Sequence, residues 1–483
     1  MKKLKYLLFL VAPLAISISS CDKLKDFGDT NVNPGGVTTP IVGALLTNVE
    51  AGLGGYAAMT RGGLYAQYFS ETQYTDVSLY ALPQLNFSGE YAGSLMDLQD
   101  IINRDISHNQ SVVARILQQY IFWTLTDRWG DVPYSEALKG NPTPKFDRQE
   151  DIYKGMISTL AAAVNDFDNT SIITGDVIYN GDVDSWKRLA NSLRMLMSLQ
   201  LSDRYPGAND YAATEFKAAL NDPAGYIATN AQNFQIDFPG GNFRNTWFNT
   251  YNGRKDFGES NTMTSLMANL GDARQTVFGG ASELPPPSPG WDAPSDKGVP
   301  YGWSRGRVEA WTGTNPDWAR ILRGDYREEG DVQYIITAAH VTLARAEAAD
   351  RGWTSENAAT LLVQGVNQSF EQWGLAAPAA SYFTNPNVAL TAAQGTGANI
   401  RPIAIQRYIA FYPDGLQGWN IWRKTGYPVL TPAEDATNTS GEIPRRYVYG
   451  QTEYATNKLA AEEAAKLIAG GDTQDSRVWW DVQ

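Results

Sequence analysis

Asp151-Ile-Tyr-Lys-Gly-Met-Ile-Ser-Thr-Leu-Ala-Ala-Ala-Val-Asn-Asp-Phe167, followed across a polar turn by Trp186-Lys-Arg-Leu-Ala-Asn-Ser-Leu-Arg-Met-Leu-Met197, decides the fold class. In the first segment Tyr153, Met156, Ile157, Leu160, Ala161, Val164 and Phe167 recur at steps of three and four, the period of one helical face. Asp147 with Glu150 resembles a capping box at its start. In the second segment Trp186, Leu189, Ala190, Leu193, Leu196 and Met197 repeat the period, and Asp184 or Ser185 is placed to cap it. Two amphipathic helices joined by a polar turn make a helical hairpin. The period returns in Val113, Ile116, Leu117, Tyr120 and Ile121; in Ile335, Ala338, Ala339, Thr342 and Ala346; and in Leu362, Val366, Ser369, Phe370 and Trp373. Alternating stretches are few and short, Asn233–Phe238 and Arg446–Tyr449 being the best. The expected fold is therefore mostly α, with hairpins packed side by side. Tetratricopeptide-like packing is permitted, although no clean repeat of about 34 residues is visible.

Composition narrows the chemistry. The 483 residues carry 39 Lys and Arg against 52 Asp and Glu, a net charge of −13. Such acidity excludes nucleic acid as a partner, because binding a phosphate backbone needs Lys and Arg to displace counterions. A single cysteine rules out an intrachain disulfide and a thiolate metal cage. His108 and His340, without an H-E-x-x-H spacing, are read as structural. No cofactor and no metal are expected. The acidic turn holding Asp166, Asp168, Asp176, Asp182 and Asp184 lacks the glycine and bidentate Glu of a calcium loop, and is read as caps and solvated acids.

The N-terminus reads as an export signal over residues 1–20, with Lys2, Lys3 and Lys5 ahead of an apolar run too short to span a bilayer. Ile18-Ser19-Ser20-Cys21 resembles a bacterial lipobox, which makes Cys21 the lipidated residue and explains the lone thiol. The lipid would then be the sole membrane attachment. Residues 21–40, rich in Asn, Thr, Gly and Pro, read as a flexible tether, and 41–483 as one domain.

Between Gly279 and Gly306 proline and glycine are too dense for a regular helix or a central strand. Large aromatic rings within and around this stretch mark a binding loop. Gly302-Trp-Ser-Arg-Gly306 fits a nucleophile elbow by letters, but neither the strand before it nor the helix after it is expected. Trp123, Trp129, Trp186, Trp353, Trp373, Trp419 and Trp422 accompany apolar periods and are assigned to the core. Arg445 and Arg446 are expected to pair with acids that fix the C-terminal tail.

Four stretches together resemble the SusD/RagB family of nutrient-binding outer-membrane lipoproteins, and its SusD-like branch in particular. They are Leu125-Thr-Asp-Arg-Trp-Gly-Asp-Val-Pro-Tyr-Ser-Glu-Ala-Leu138; Gly175-Asp-Val-Ile-Tyr-Asn-Gly-Asp182 running into Trp186–Arg194; Trp422-Arg-Lys-Thr-Gly-Tyr-Pro428; and Ile443-Pro-Arg-Arg446 followed by Tyr449, Glu453 and Asn457, with Trp479-Trp480-Asp481 at the end. Gly450 stands where the family commonly has proline, and residues 279–306 match nothing in it. The resemblance implies a tetratricopeptide-like scaffold of four helical hairpins with long ligand-binding loops, placed at the outer membrane and facing the cell exterior. It also implies a SusC-like TonB-dependent transporter as partner, over which the lipoprotein sits as a hinged lid, and no bond chemistry of its own.

A sugar ring offers an apolar face to an indole or phenol and a polar rim to amides and charged groups. Trp291, Tyr301 and Trp303 are therefore the first candidates for a ligand platform, with Tyr74, Tyr80, Trp247 and Trp311 next. Asn249, Asn252 and Arg254 are the candidate polar partners. The alternative ligand is an oligopeptide, as in RagB-like members. The alternative class is a lipid-anchored glycoside hydrolase, which requires two carboxylates flanking the scissile bond.

Overall fold

The computed structural model describes residues 41–81 and 83–482. The expected signal, the expected lipidation site Cys21 and the expected tether lie outside the described residues. His108–Trp129 (α1), Gln149–Asp166 (α2) and Val183–Gln200 (α3) are helices, each packed on the next. Their periodic apolar positions are the reason: Tyr153, Met156, Ile157, Leu160, Trp186, Leu189 and Leu193 are all fully buried.

The caps differ from expectation. Asp147 does not cap α2; its carboxylate turns back to accept from the Tyr134 and Ser135 amides at 3.0 and 2.7 Å, and α2 starts without a side-chain cap. Asp182, rather than Asp184 or Ser185, caps α3 by accepting from the Ser185 amide at 3.2 Å. Asp182→Ala is expected to lower stability by about 1 kcal/mol in urea unfolding, and Asp184→Ala by less than half of that. Equal losses would reassign the cap.

The second half of the scaffold repeats the device. Ala338–Asp350 (α4) packs on Ala358–Gln372 (α5), and Ile400–Phe411 (α6) on Gly415–Thr425 (α7), while α4 also touches α3 and α6 and so joins the halves. Ile335, expected at the head of α4, lies instead in the strand Val332–Ile336. The short helix Thr60–Tyr65 rests on α7 through bare backbone: a Cβ added to Gly415 would lie 2.0 Å from the Gly63 nitrogen. Trp123, Trp129, Trp186, Trp353, Trp373 and Trp419 are buried and Trp422 is half-buried. Arg445 holds Asp481 through two hydrogen bonds of 2.7 Å, and Arg446 pairs with Asp472, so both arginines fasten the tail.

Strand structure among the described residues is limited to four two-stranded pairings. Asn233–Phe238 contains the strand Phe234–Asp237, which pairs antiparallel with Val332–Ile336. Within Arg446–Tyr449 only Val448 and Tyr449 are extended, parallel to Gln84–Leu85. The acidic turn is occupied by its own chain: Asp176 accepts from the amides of Ile178, Tyr179 and Gly181 and from the Trp186 indole. No helix among the described residues is long and apolar enough to cross a membrane.

Candidate functional site

Antiparallel pairing of Phe69–Glu71 with Phe257–Glu259 sets Glu71 opposite Phe257, and the Thr72 amide extends the ladder to the Asp256 carbonyl at 2.8 Å. This pairing brings Gln73 and Tyr74 to the same cleft as Asn252, Arg254 and Asp256. The cleft measures about 520 Å³, and the Pro-rich loop closes it with Leu284, Pro285 and Trp291. A volume of this size suits a small organic ligand or a few units of a chain.

Tyr251 and Arg327 form the buried base. The Tyr251 hydroxyl donates to the Phe257 carbonyl at 2.8 Å and accepts from the Ile321 amide at 2.7 Å. The Arg327 guanidinium lies 4.3 Å from the Tyr251 ring centroid and 5.0 Å from that of Trp291, so one cation contacts both rings. It donates to the carbonyls of Leu322, at 3.0 Å, and Ser282. Burial pushes the guanidinium down to about 10. Trp291 is only 7% exposed; its indole lies against Gly324, where a Cβ would come within 2.3 Å of the ring. The indole N–H points to Glu328 at 3.3 Å.

Tyr74 contributes the open aromatic surface. Its ring is 56% exposed, with the Arg305 guanidinium 5.6 Å from its centroid. Phe248, half-buried, lines the same cleft. Asp256 accepts from Arg254 at 2.6 Å and Glu283 is paired with Arg320, so both carboxylates are committed to arginines and serve as fixed acceptors. The side chains of Gln73, Asn252 and Lys255 have no hydrogen-bond partner among the described residues, which leaves three donor groups and two amide oxygens as acceptors at the cleft. Apolar ring surface beside unengaged amides is an arrangement for holding a solute with both apolar faces and hydroxyls.

Of the residues proposed from sequence, Trp291, Tyr74, Asn252 and Arg254 line this cleft. Three of the aromatic candidates are corrected to core. Tyr301 and Tyr80 are buried with their hydroxyls 3.4 Å apart, and Tyr80 also accepts from the Ala433 amide at 2.8 Å. Trp247 is buried edge-on against Phe69, ring centroids 5.5 Å apart. Trp303 is half-buried under Arg307, its indole donating to Glu434 at 2.9 Å, and so fastens the loop to residue 434. Trp311 packs on the core from the helix Arg305–Thr314. Asn249 is exposed on the helix Thr246–Tyr251, outside the lining. Leu284, Gln73 and Arg327 have no counterpart among the sequence candidates, and Phe248 is one of the rings around the Pro-rich stretch but not a platform candidate, although on a helical turn a neighbour of buried Trp247 points about 100° away from it.

The elbow-like Gly302–Gly306 does lead into a helix, Arg305–Thr314, contrary to expectation, but residues 301–304 are not a strand. His340 is buried, with its Nε2 bonded to the Ala410 carbonyl at 3.0 Å. The elbow geometry is therefore missing.

Residues 34–450 match the SusD-like family described as starch-binding and associating with the outer membrane. The chain belongs to this family. The SusD-like chain is 25% identical to a chitin-binding protein, with 92% of this chain and 100% of that one covered and a TM-score of 0.76. A chitin-binding SusD homologue from Flavobacterium johnsoniae is 23% identical, with 92% and 99% covered and a TM-score of 0.77. A SusD homologue from Bacteroides uniformis gives the same identity, coverage and TM-score. The likeness to these last two establishes the mostly helical SusD fold. No curated protein sequence matches the chain. The family is one of binding proteins and is associated with the outer membrane.

Proposed function

We propose that the protein captures an oligo- or polysaccharide in the Tyr74–Trp291 cleft on the exterior of the outer membrane and passes it, unaltered, to a SusC-like TonB-dependent transporter. A lipid on Cys21 anchors it there, and the folded body closes over the transporter as a hinged lid. The observation that carries the ligand class is the exposed Tyr74 ring in one cleft with the unengaged side chains of Gln73 and Asn252. Such a pairing meets the apolar face and the hydroxyl rim of a sugar at the same time. The starch association of the family supports this reading, and so does the 25% identical relative named for chitin binding.

Calorimetry against starch-type, chitin-type and β-glucan oligomers, with a peptide mixture as the competing class, tests it. Tyr74→Ala is expected to weaken binding of the recognised glycan about tenfold, equivalent to about 1.4 kcal/mol. Unchanged affinity would remove the cleft assignment. Binding of peptides alone would replace the ligand class, and release of reducing ends by the purified protein would overturn the carrier role.

A further inference from the structure

A second cavity, again about 520 Å³, is lined by Thr72, Glu309, Thr312, Gly313 and Trp318. It lies directly beside the first, because Gln73, Lys255 and Glu283 line both. The side chains of these three residues form the boundary between them. One flank is rigid: Arg320 pairs with Glu283, donates to the carbonyls of Ala281, Pro316 and Trp318 at 3.0, 3.0 and 2.6 Å, and lies 3.6 Å from the Trp318 ring centroid. The other two boundary side chains, Gln73 and Lys255, carry no hydrogen bond or ion pair among the described residues. A lysine and an amide that are unengaged at the junction of two cavities can bond to whatever crosses from one to the other.

We infer that the two cavities are one continuous binding groove, and that the ligand is a linear chain lying across the Gln73–Lys255–Glu283 boundary with units in both. This inference rests on the glycan reading of the first cavity and adds the ligand's form. The first cavity supplies the aromatic surface. The second is poorer in open rings, and its wall carries Thr72, Thr312 and Glu309, whose oxygens can still accept hydrogen bonds although Thr312 donates to the Val308 carbonyl at 3.1 Å and Glu309 accepts from Arg305 at 2.7 Å. A chain gripped by ring contacts at one end and hydrogen bonds at the other gains affinity with length, whereas a ligand confined to the first cavity does not.

Gly313 provides a clean test. It is exposed near the end of the helix Arg305–Thr314, and a Cβ added there meets nothing within 4 Å. Gly313→Arg improves helix propensity and sets a cation near the helix C-terminus, so folding is preserved while the long side chain fills the second cavity. Binding is measured by calorimetry across a dimer-to-octamer series of N-acetylglucosamine, maltose-type and β-glucan oligomers, in the wild-type chain, Gly313→Arg and Tyr74→Ala. The expected result is wild-type affinity that rises at least about tenfold from dimer to octamer, a Gly313→Arg variant in which the octamer binds only as well as the dimer, and dimer binding equal to that of the wild type. Length-independent binding that still depends on Tyr74 would overturn the continuous groove and leave the glycan site standing. Equal loss for dimer and octamer in Gly313→Arg would also overturn it. No binding of any oligomer by the wild type would overturn the glycan reading and this inference together.

Discussion

Glu347→Ala lowers the unfolding free energy by about 3–5 kcal/mol, a large share of what a globular domain has. Glu347 is fully buried on α4. One oxygen accepts from Lys424 of α7 at 2.7 Å and from Arg351 at 3.0 Å, and the other accepts from Arg407 of α6. A single carboxylate therefore ties α4, α6 and α7 together, and Asp203 pairs with Arg351 at 3.1 Å. Removing it leaves Lys424 and Arg407 as buried cations without their carboxylate. Burial already pushes Lys424 down to about 8 beside its partner, so in the variant it sheds its proton near neutral pH, which bounds the loss without cancelling it. The same group sets an acid limb. Burial pushes the Glu347 carboxyl up, but Lys424, Arg407 and Arg351 together outweigh it and hold the group well below the usual carboxylate range. A carboxylate with a depressed folded value contributes stability that is complete above its unfolded value, about pH 4.3, and is lost as pH falls toward the folded one. Urea midpoints measured from pH 7 down to pH 3 should fall less steeply for Glu347→Gln than for the wild type. A loss below about 1 kcal/mol for Glu347→Ala would show that the cluster does not hold the helices.

The helices were legible because their cause is local. Tyr153 to Val164 and Trp186 to Leu196 bury faces whose period is written in consecutive residues, and the core tryptophans lie on or beside those faces. The caps were less so: Asp147 and Asp182 satisfy the same composition rule, yet Asp147 finds the Tyr134 and Ser135 amides, a contact no local pattern announces. The site was half legible for the same reason. Among the candidates read as sugar-stacking rings and polar partners, Tyr74, Trp291, Asn252 and Arg254 do converge. Tyr80, Trp247 and Tyr301 carry the same local signature, but their burial is decided by partners far along the chain: Tyr80 with Tyr301, and Trp247 with Phe69. Arg327 gives no signal at all, since its role consists of two carbonyls and two rings supplied by three different segments.

That silence makes Arg327 the most informative substitution at the site. Arg327→Met keeps the bulk of the side chain and removes its donors and charge. It strips the hydrogen bonds to the Leu322 and Ser282 carbonyls, worth about 1.5–3 kcal/mol each when the donor is charged, and the attraction to the Tyr251 and Trp291 rings, worth about 2 kcal/mol when desolvated. Ser282 belongs to the loop that carries Leu284, Pro285 and Trp291 into the cleft, so releasing it frees one wall of the site. Affinity for the recognised glycan is expected to fall more than about tenfold, and more than in Tyr74→Ala, because a loop that must be re-ordered on binding adds its entropy to the loss of contact. Arg327→Lys should recover little, since an ammonium cannot reproduce the planar fork that reaches both carbonyls. Calorimetry and urea unfolding on the same variants separate the two effects: a variant that is destabilised yet binds with wild-type affinity would mean that the Pro-rich loop is positioned by something other than this guanidinium.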